Sequence, residues 1–266
     1  MIVRSAALNV MTKAAEKAGR ALVRDFGEVE QLQVSRKGPA DFVSSADRKA
    51  ERIIREELQK ARPEYGFLME EGGEIASDDE HRFIIDPLDG TSNFLHGLPH
   101  FAVSIALEKK GEVIAGVIYD PVKDELFWAE KGKGAFLNSR RLRVSARARL
   151  SDSIFATGIP FMGMQEGEGH QLFLRRLEKV MGKTAGVRRW GAAALDLAYV
   201  AAGRYDGFWE RGLNPWDVAA GLLMVKEAGG FVTDAQGRQY KFKSEDLVAG
   251  NDKIHKSLLD LLRSAK

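Results

Sequence analysis

Between residues 83 and 144 the chain repeats a two-residue hydrophobic period, and that run limits the fold more than any other feature of the sequence. Phe101, Val103, Ile105 and Leu107 alternate with other residues, and apolar runs at 113–119 and 126–129 follow. A period of two puts successive side chains on opposite faces of an extended strand, whereas a helix needs spacings of three and four. Lys110-Gly111 and Asp120-Pro121 separate the runs with turn-forming dipeptides, so the strands are expected to follow one another antiparallel in a broad sheet.

Helical patterns flank this region. Leu8, Met11, Ala15, Ala18, Leu22 and Phe26 predict a helix over residues 2–26, with Gly27 at its stop. Residues 31–45 read as a strand interrupted by a loop at Lys37-Gly38-Pro39, and residues 47–61 as a second helix with Ala50, Ile53, Ile54 and Leu58 on one face. Beyond Val144, strands are expected near 153–158, 206–210, Phe231 and Leu247, alternating with helices at 171–181, 192–202, 216–228 and 253–263. The change of pattern predicts two layered α/β subdomains. Residues 1–146 would hold the helix pair, the antiparallel sheet and most candidate metal ligands, and 147–266 the alternating part with Asp217.

Composition narrows the function. The 266 residues are 44% hydrophobic, enough for large apolar cores, and 40 basic against 38 acidic residues leave a net charge of +2, without the global basic field of a nonspecific nucleic-acid binder. The chain has no cysteine, which excludes disulfides, thiolate zinc sites, iron–sulfur clusters and a cysteine nucleophile, and suits a reducing cytoplasm. Lys13, Glu16, Lys17, Arg20, Arg24 and Asp25 interrupt the first 30 residues, so no secretory signal core is present. The weakly polar stretch 191–203 is broken by Asp196 and too short to span a bilayer, so a cytoplasmic protein without membrane association is expected.

Acids recur where apolar runs end. Glu70-Glu71 follow Phe67-Leu68-Met69, Asp86 and Asp89 follow Phe83-Ile84-Ile85, and Asp217 opens a helix after Asn214-Pro215-Trp216. A hard cation such as Mg2+ takes oxygen ligands of this kind, a few carboxylates completed by water and substrate phosphate. Each group also has a plain structural reading: Asp217 as a helix-capping acid, Glu70-Glu71 before Gly72-Gly73 as a solvated turn, Thr91 as a cap. Other features carry less. His96 and His100 have Gly97 and Pro99 between them, which breaks the helix a zinc pair would need. The arginine-rich stretch 139–149 reads as a solvated edge or turn, or else as a docking surface for RNA or RNA polymerase, and residues 162–169 as a surface loop.

Two long segments, FIIDPLDGTSNFLH (83–96) and WDVAAGLLMVKEAGG (216–230), resemble the paired motifs of the inositol monophosphatase family, with DFVSSAD (41–47) and FLMEE (67–71) at the matching upstream places. NFLHGLPHF (93–101) and FWERGLNPWD (208–217) are similar to its bacterial inositol-1-monophosphatase branch, and the resemblance covers essentially the whole chain. It implies an αβαβα sandwich of the sugar-phosphatase type, with a large antiparallel sheet, a smaller mixed sheet and helices between. It further implies a homodimer and a Mg2+-dependent, lithium-sensitive phosphomonoesterase using two to three ions on a small phosphorylated polyol, foremost myo-inositol 1-phosphate. By the same resemblance Glu70, Asp86 and the Leu88 carbonyl would hold one ion, Asp86, Asp89 and Asp217 a second, and Glu70 with waters a weaker third. Gly90 and Thr91 would meet the phosphate and the attacking water, Asp47 would act through Thr91, and Glu210 and Ala193 would touch substrate hydroxyls, with Asp89 and Asp217 also facing the substrate. Ala46 departs from the family, which often has a threonine there. Fructose-1,6-bisphosphatase, 3′-phosphoadenosine bisphosphate phosphatase and a transcription-complex or RNA partner are the alternatives.

Overall fold

The computed structural model describes residues 4–28, 34–38, 41–77, 80–161, 163 and 167–265, with backbone alone for 34–38 and 41–43. Helix α1 (Ala6–Phe26) starts later than its periodicity suggests because the Ser5 side chain accepts a hydrogen bond from the Leu8 N–H at 3.3 Å and caps it there. Its buried face contains Leu8, Met11, Ala15, Ala18 and Leu22, most of the apolar stripe seen in the sequence. Strands β1 (Val34–Gly38) and β2 (Asp41–Ser44) form an antiparallel hairpin, and Pro39 of the loop expected there lies outside the described residues. Helix α2 (Ser45–Ala61) follows at once.

The broad sheet has eight strands: β3 (Gly66–Met69), β4 (Gly73–Ile75), β5 (His81–Asp89), β6 (Ala102–Lys109), β7 (Glu112–Asp120), β8 (Glu125–Glu130), β9 (Gly134–Leu137) and β10 (Arg140–Arg141), in the order β10-β9-β8-β7-β6-β5-β3-β4. Only the β3–β5 pair is parallel. A five-stranded mixed sheet runs β12-β11-β13-β15-β14, built from β11 (Ile154–Thr157), β12 (Gly186–Arg188), β13 (Gly207–Arg211), β14 (Phe231–Thr233) and β15 (Asp246–Gly250). The remaining helices are α3 (Thr91–Leu95), α4 (Glu168–Met181), α5 (Ala193–Ala201), α6 (Pro215–Glu227) and α7 (Asp252–Ser264).

These elements stack as an αβαβα sandwich. Phe83, Ile85, Val103 and Ile105 pack with α1 and α2 in one core, while Ile84, Ala102 and Ala106 from the same strands pack with α5 and α6 in another. The second core continues to Phe208 and Ala249 of the small sheet, whose opposite face places Trp209 and Val248 against α7. The middle layer is tight: a Cβ on Gly116 of β7 would lie 2.9 Å from the Ala220 Cα of α6. Small residues on β6 and β7 let α6 lie close to the sheet, and α6 brings Asp217 to the end of β5. Among the described residues no helix is long and apolar enough to cross a membrane.

Candidate active site

The site forms where β5 ends and several helices begin. Asp86 pairs with Ser104 and Asp89 with Ala102, so three steps along β5 match two along β6. On a regular strand, residues three apart point to opposite faces; the extra residue of this bulge re-aims the strand end and brings both acids into one cluster. Asp86 is buried and accepts a hydrogen bond from the Leu88 N–H at 3.0 Å, while Asp89 is partly exposed.

Three acids are held by helix N-termini. Asp47, in the first turn of α2, accepts from the Ser44 N–H at 2.8 Å and the Ser44 hydroxyl at 2.5 Å on Oδ2, and its Oδ1 accepts from the Thr91 hydroxyl at 2.9 Å. Asp217 has the same place in α6, its Oδ2 accepting from the Asn214 N–H at 2.7 Å. Helix α5 begins after Ala192, which has no side-chain oxygen to cap it; Asp89 supplies one, accepting from the Ala194 N–H at 2.7 Å. Each carboxylate thus satisfies otherwise unpaired N–H groups, and one hydrogen-bonded oxygen fixes where the other points. For Asp217 the capping role and the site role are therefore compatible. Ser44, not Ala46, supplies the hydroxyl that orders this turn.

The acids repel one another. Asp86 is held well above the ordinary carboxylate range by burial and then by the charges of Glu70, Asp89 and Asp217. Burial, with Glu210 and Glu70, pushes Asp89 up to about 7 against the hydrogen bond from Ala194. Asp217 rises well above its usual value through burial, Asp89 and Glu70, and Glu210 is pushed up to about 8 by burial and Asp217, with Arg189 opposing. Glu70 stands close enough to Asp86 to raise its pKa, and two carboxylates in such proximity repel unless a proton or a cation lies between them. A cation replaces such a proton, so the donor set fits a hard divalent ion. The acids are near enough to raise one another's pKa, but among the described residues no three acidic or histidine side chains already converge at ligand distance from one point.

The other expected residues lie around this cluster. Gly90 has φ of 94°, and a Cβ there would meet the His100 carbonyl oxygen at 3.0 Å, so the turn into α3 requires glycine. The Thr91 hydroxyl also reaches the Leu88 carbonyl oxygen at 3.0 Å. Asn93 donates to the carbonyls of His100 at 2.8 Å and Trp190 at 2.7 Å, tying α3 to the turn before Ala193. The Glu210 carboxylate packs so closely on Gly158 that a Cβ there would fall 1.8 Å from Oε1.

Sequence reasoning did not assign Asp196 to this region, although it is a lone acid within the otherwise apolar α5. It is buried, its Oδ1 has no hydrogen-bond partner among the described residues, and burial, Glu210 and Asp89 keep its pKa well above the usual range. His96 is exposed and bonded to the Ser92 carbonyl, whereas His100 is buried and held at about 4, chiefly by burial. Within the arginine-rich stretch Arg147 pairs with Asp206 and Arg149 with Asp152, and Arg140 and Arg141 form the edge strand β10. Met162 and residues 164–166 of the expected loop lie outside the described residues, and Glu168 already belongs to α4.

Comparison with known proteins agrees with this geometry. The model of the inositol monophosphatase family matches residues 4–266. The chain is 60% identical over 261 residues to a Rhizobium meliloti (strain 1021) protein named inositol-1-monophosphatase, spanning 98% of this chain and 97% of that one. It is 47% identical over 259 residues to the Nus factor SuhB of Pseudomonas aeruginosa, spanning 96% and 95%. The crystal structure of the extragenic suppressor protein suhB from Bartonella henselae matches with a TM-score of 0.94 and 62% identity, over 97% of this chain and 99% of that one. Fold, motifs and full-length similarity agree: the chain belongs to the inositol monophosphatase family.

Proposed function

We propose that the protein is a Mg2+-dependent phosphomonoesterase that hydrolyses myo-inositol 1-phosphate to inositol and phosphate by direct attack of water. The observation that carries this reading is the meeting of Asp86, Asp89, Asp217 and Glu70 beside the Asp47–Thr91 hydrogen bond. In this reading Glu70, Asp86 and the Leu88 carbonyl would hold one ion, Asp86, Asp89 and Asp217 a second, and Glu70 with waters a weaker third. Bound there, Mg2+ would lower the pKa of the attacking water and offset charge on the phosphoryl and leaving oxygens. Thr91 orients that water through its hydroxyl. Asp47, which burial raises above the ordinary carboxylate value, accepts the proton through Thr91. The Gly90 and Thr91 N–H groups face the phosphate, and Glu210 and Ala193 face the hydroxyls of the polyol. Lithium is expected to inhibit by competing for the second ion's place. The cysteine-free sequence fits a cytoplasmic enzyme, and the exposed Leu98 and Trp190 offer apolar surface for a homodimer partner.

The test of substrate is a side-by-side assay of myo-inositol 1-phosphate, fructose 1,6-bisphosphate and 3′-phosphoadenosine 5′-phosphate. The inositol ester should give the highest kcat/KM, and preference for either bisphosphate would move the enzyme to the corresponding alternative. A second consequence concerns pH. The carboxyl of Asp89 titrates at about 7 in the folded chain against 3.8 for an ordinary aspartate, so without metal the folded state binds more protons than the unfolded one between those values. Stability of the metal-free protein should therefore fall as pH rises toward about 7, and Mg2+ should restore it increasingly over the same interval. Melting curves with and without Mg2+, together with calorimetric proton release in two buffers of different ionisation enthalpy, measure this. Binding that released no protons near neutral pH would contradict the proposed ligand set.

The similarity to a protein named Nus factor supports a second reading, contact with the transcription machinery. Among the described residues Arg140 and Arg143 have no acidic partner, and they are the side chains that a polyanionic or acidic partner would meet first.

A further inference from the structure

A pocket of about 490 Å³ opens beside the C-terminal half of α6, bounded also by the tip of the β6–β7 hairpin and the loop before β15. Its size lies within the range of small-molecule sites, roughly 300–1,000 Å³. Lys226 on its wall is nine residues beyond Asp217 on the same helix, roughly 13 Å along the axis. The pocket shares no lining residue with the acidic cluster, although its wall residue Tyr240 is near enough to Asp217 to feel that charge.

Val113, Leu222, Leu223, Tyr240 and Phe242 give the pocket apolar walls, two of them aromatic. Charged side chains line it too, and they differ in what already holds them. Lys131 is paired with Glu112 at 2.5 Å, and the two carboxylate oxygens of Glu227 accept the Gly132 and Gly134 N–H groups at 2.8 Å each. Lys226 and Lys241 are exposed, and among the described residues neither has an acidic partner. The acids at the rim are thus engaged and two cations are not. An apolar cavity beside uncompensated positive charge selects a ligand with an apolar body and a negative end, because the walls gain from desolvation and the lysines disfavour a cation.

We propose that this pocket is a second ligand site, which takes a small organic anion with a flat apolar body, its charge toward Lys226 and Lys241. Aromatic walls stack on a planar body, and an aryl carboxylate or sulfonate has the required chemistry.

Anilinonaphthalene sulfonate is a suitable probe, titrated by fluorescence and calorimetry into the full chain. Saturable binding of one molecule per chain is expected. The double variant Lys226→Glu/Lys241→Glu should weaken it by at least about tenfold, since two exposed attractions become repulsions of similar size. Uncharged N-phenylnaphthylamine should bind parent and variant alike. Val113→Trp, which fills the cavity from the edge of the hairpin, should also remove sulfonate binding while the melting temperature shows the chain folded. Unchanged affinity in both folded variants, or no saturable binding to the parent, would overturn the proposal.

Discussion

Asp89→Asn is expected to lower turnover by roughly two to three orders of magnitude or more while leaving the metal-free chain at least as stable as its parent. The asparagine side chain has the same shape, and its carbonyl oxygen can still accept the Ala194 N–H that Asp89 accepts at 2.7 Å, so the start of α5 keeps its cap. The lost negative charge relieves repulsion from Glu210 and Glu70, which favours the metal-free fold. What disappears is the negative charge that the proposed metal site draws on. Phosphate release from myo-inositol 1-phosphate, followed against Mg2+ concentration, reads the first effect and a thermal melt the second. Near-parental turnover with an unchanged Mg2+ dependence would remove Asp89 from the metal site.

Gly116→Val should produce the largest loss of stability among single changes in the middle layer. Strand propensity alone favours valine over glycine, so the expected sign comes entirely from packing. The new Cβ would stand 2.9 Å from the Ala220 Cα, 3.1 Å from its Cβ and 3.2 Å from its carbonyl oxygen, and two of these are helix backbone atoms that cannot rotate away. Overpacking of this kind costs about 1–3 kcal/mol and here falls at the upper end, because α6 must move as a unit. For a domain of this size that is a drop of roughly 6–10 °C in melting temperature. Since α6 carries Asp217 in its first turn, Mg2+ affinity should fall as well, although Gly116 touches none of the acids. A Gly116→Val protein with parental melting temperature and Mg2+ affinity would show that the sheet and α6 are not in the contact described.

Much of this arrangement is legible in the residues themselves. The alternation of Phe101, Val103, Ile105 and Leu107 marks a strand, and the spacing of Leu8, Met11, Ala15, Ala18 and Leu22 marks a helix, because periodicity records which side chains face a core. Strands β4, β10 and β12 have three, two and three residues, too few for a period to show, and they are held by their neighbours in the sheet. Asp86 and Asp89 stand out in the sequence through the turn residues around them, but only the bulge against β6 explains how acids three apart on a strand reach one place.

The sequence by itself determined the types of the longer elements, the exclusion of thiolate chemistry and the identity of the acids, since these depend on local periodicity and on which side chains the chain contains. Tertiary structure decided that Asp89 caps a helix more than 100 residues away, that the hydroxyl of Thr91 finds Asp47, and that buried Asp196 lies near Glu210 and Asp89. Such pairings are set by how closely sheets and helices can stack, and in the middle layer by the absence of a Cβ on Gly116. Close approach through space leaves no periodic trace along the chain.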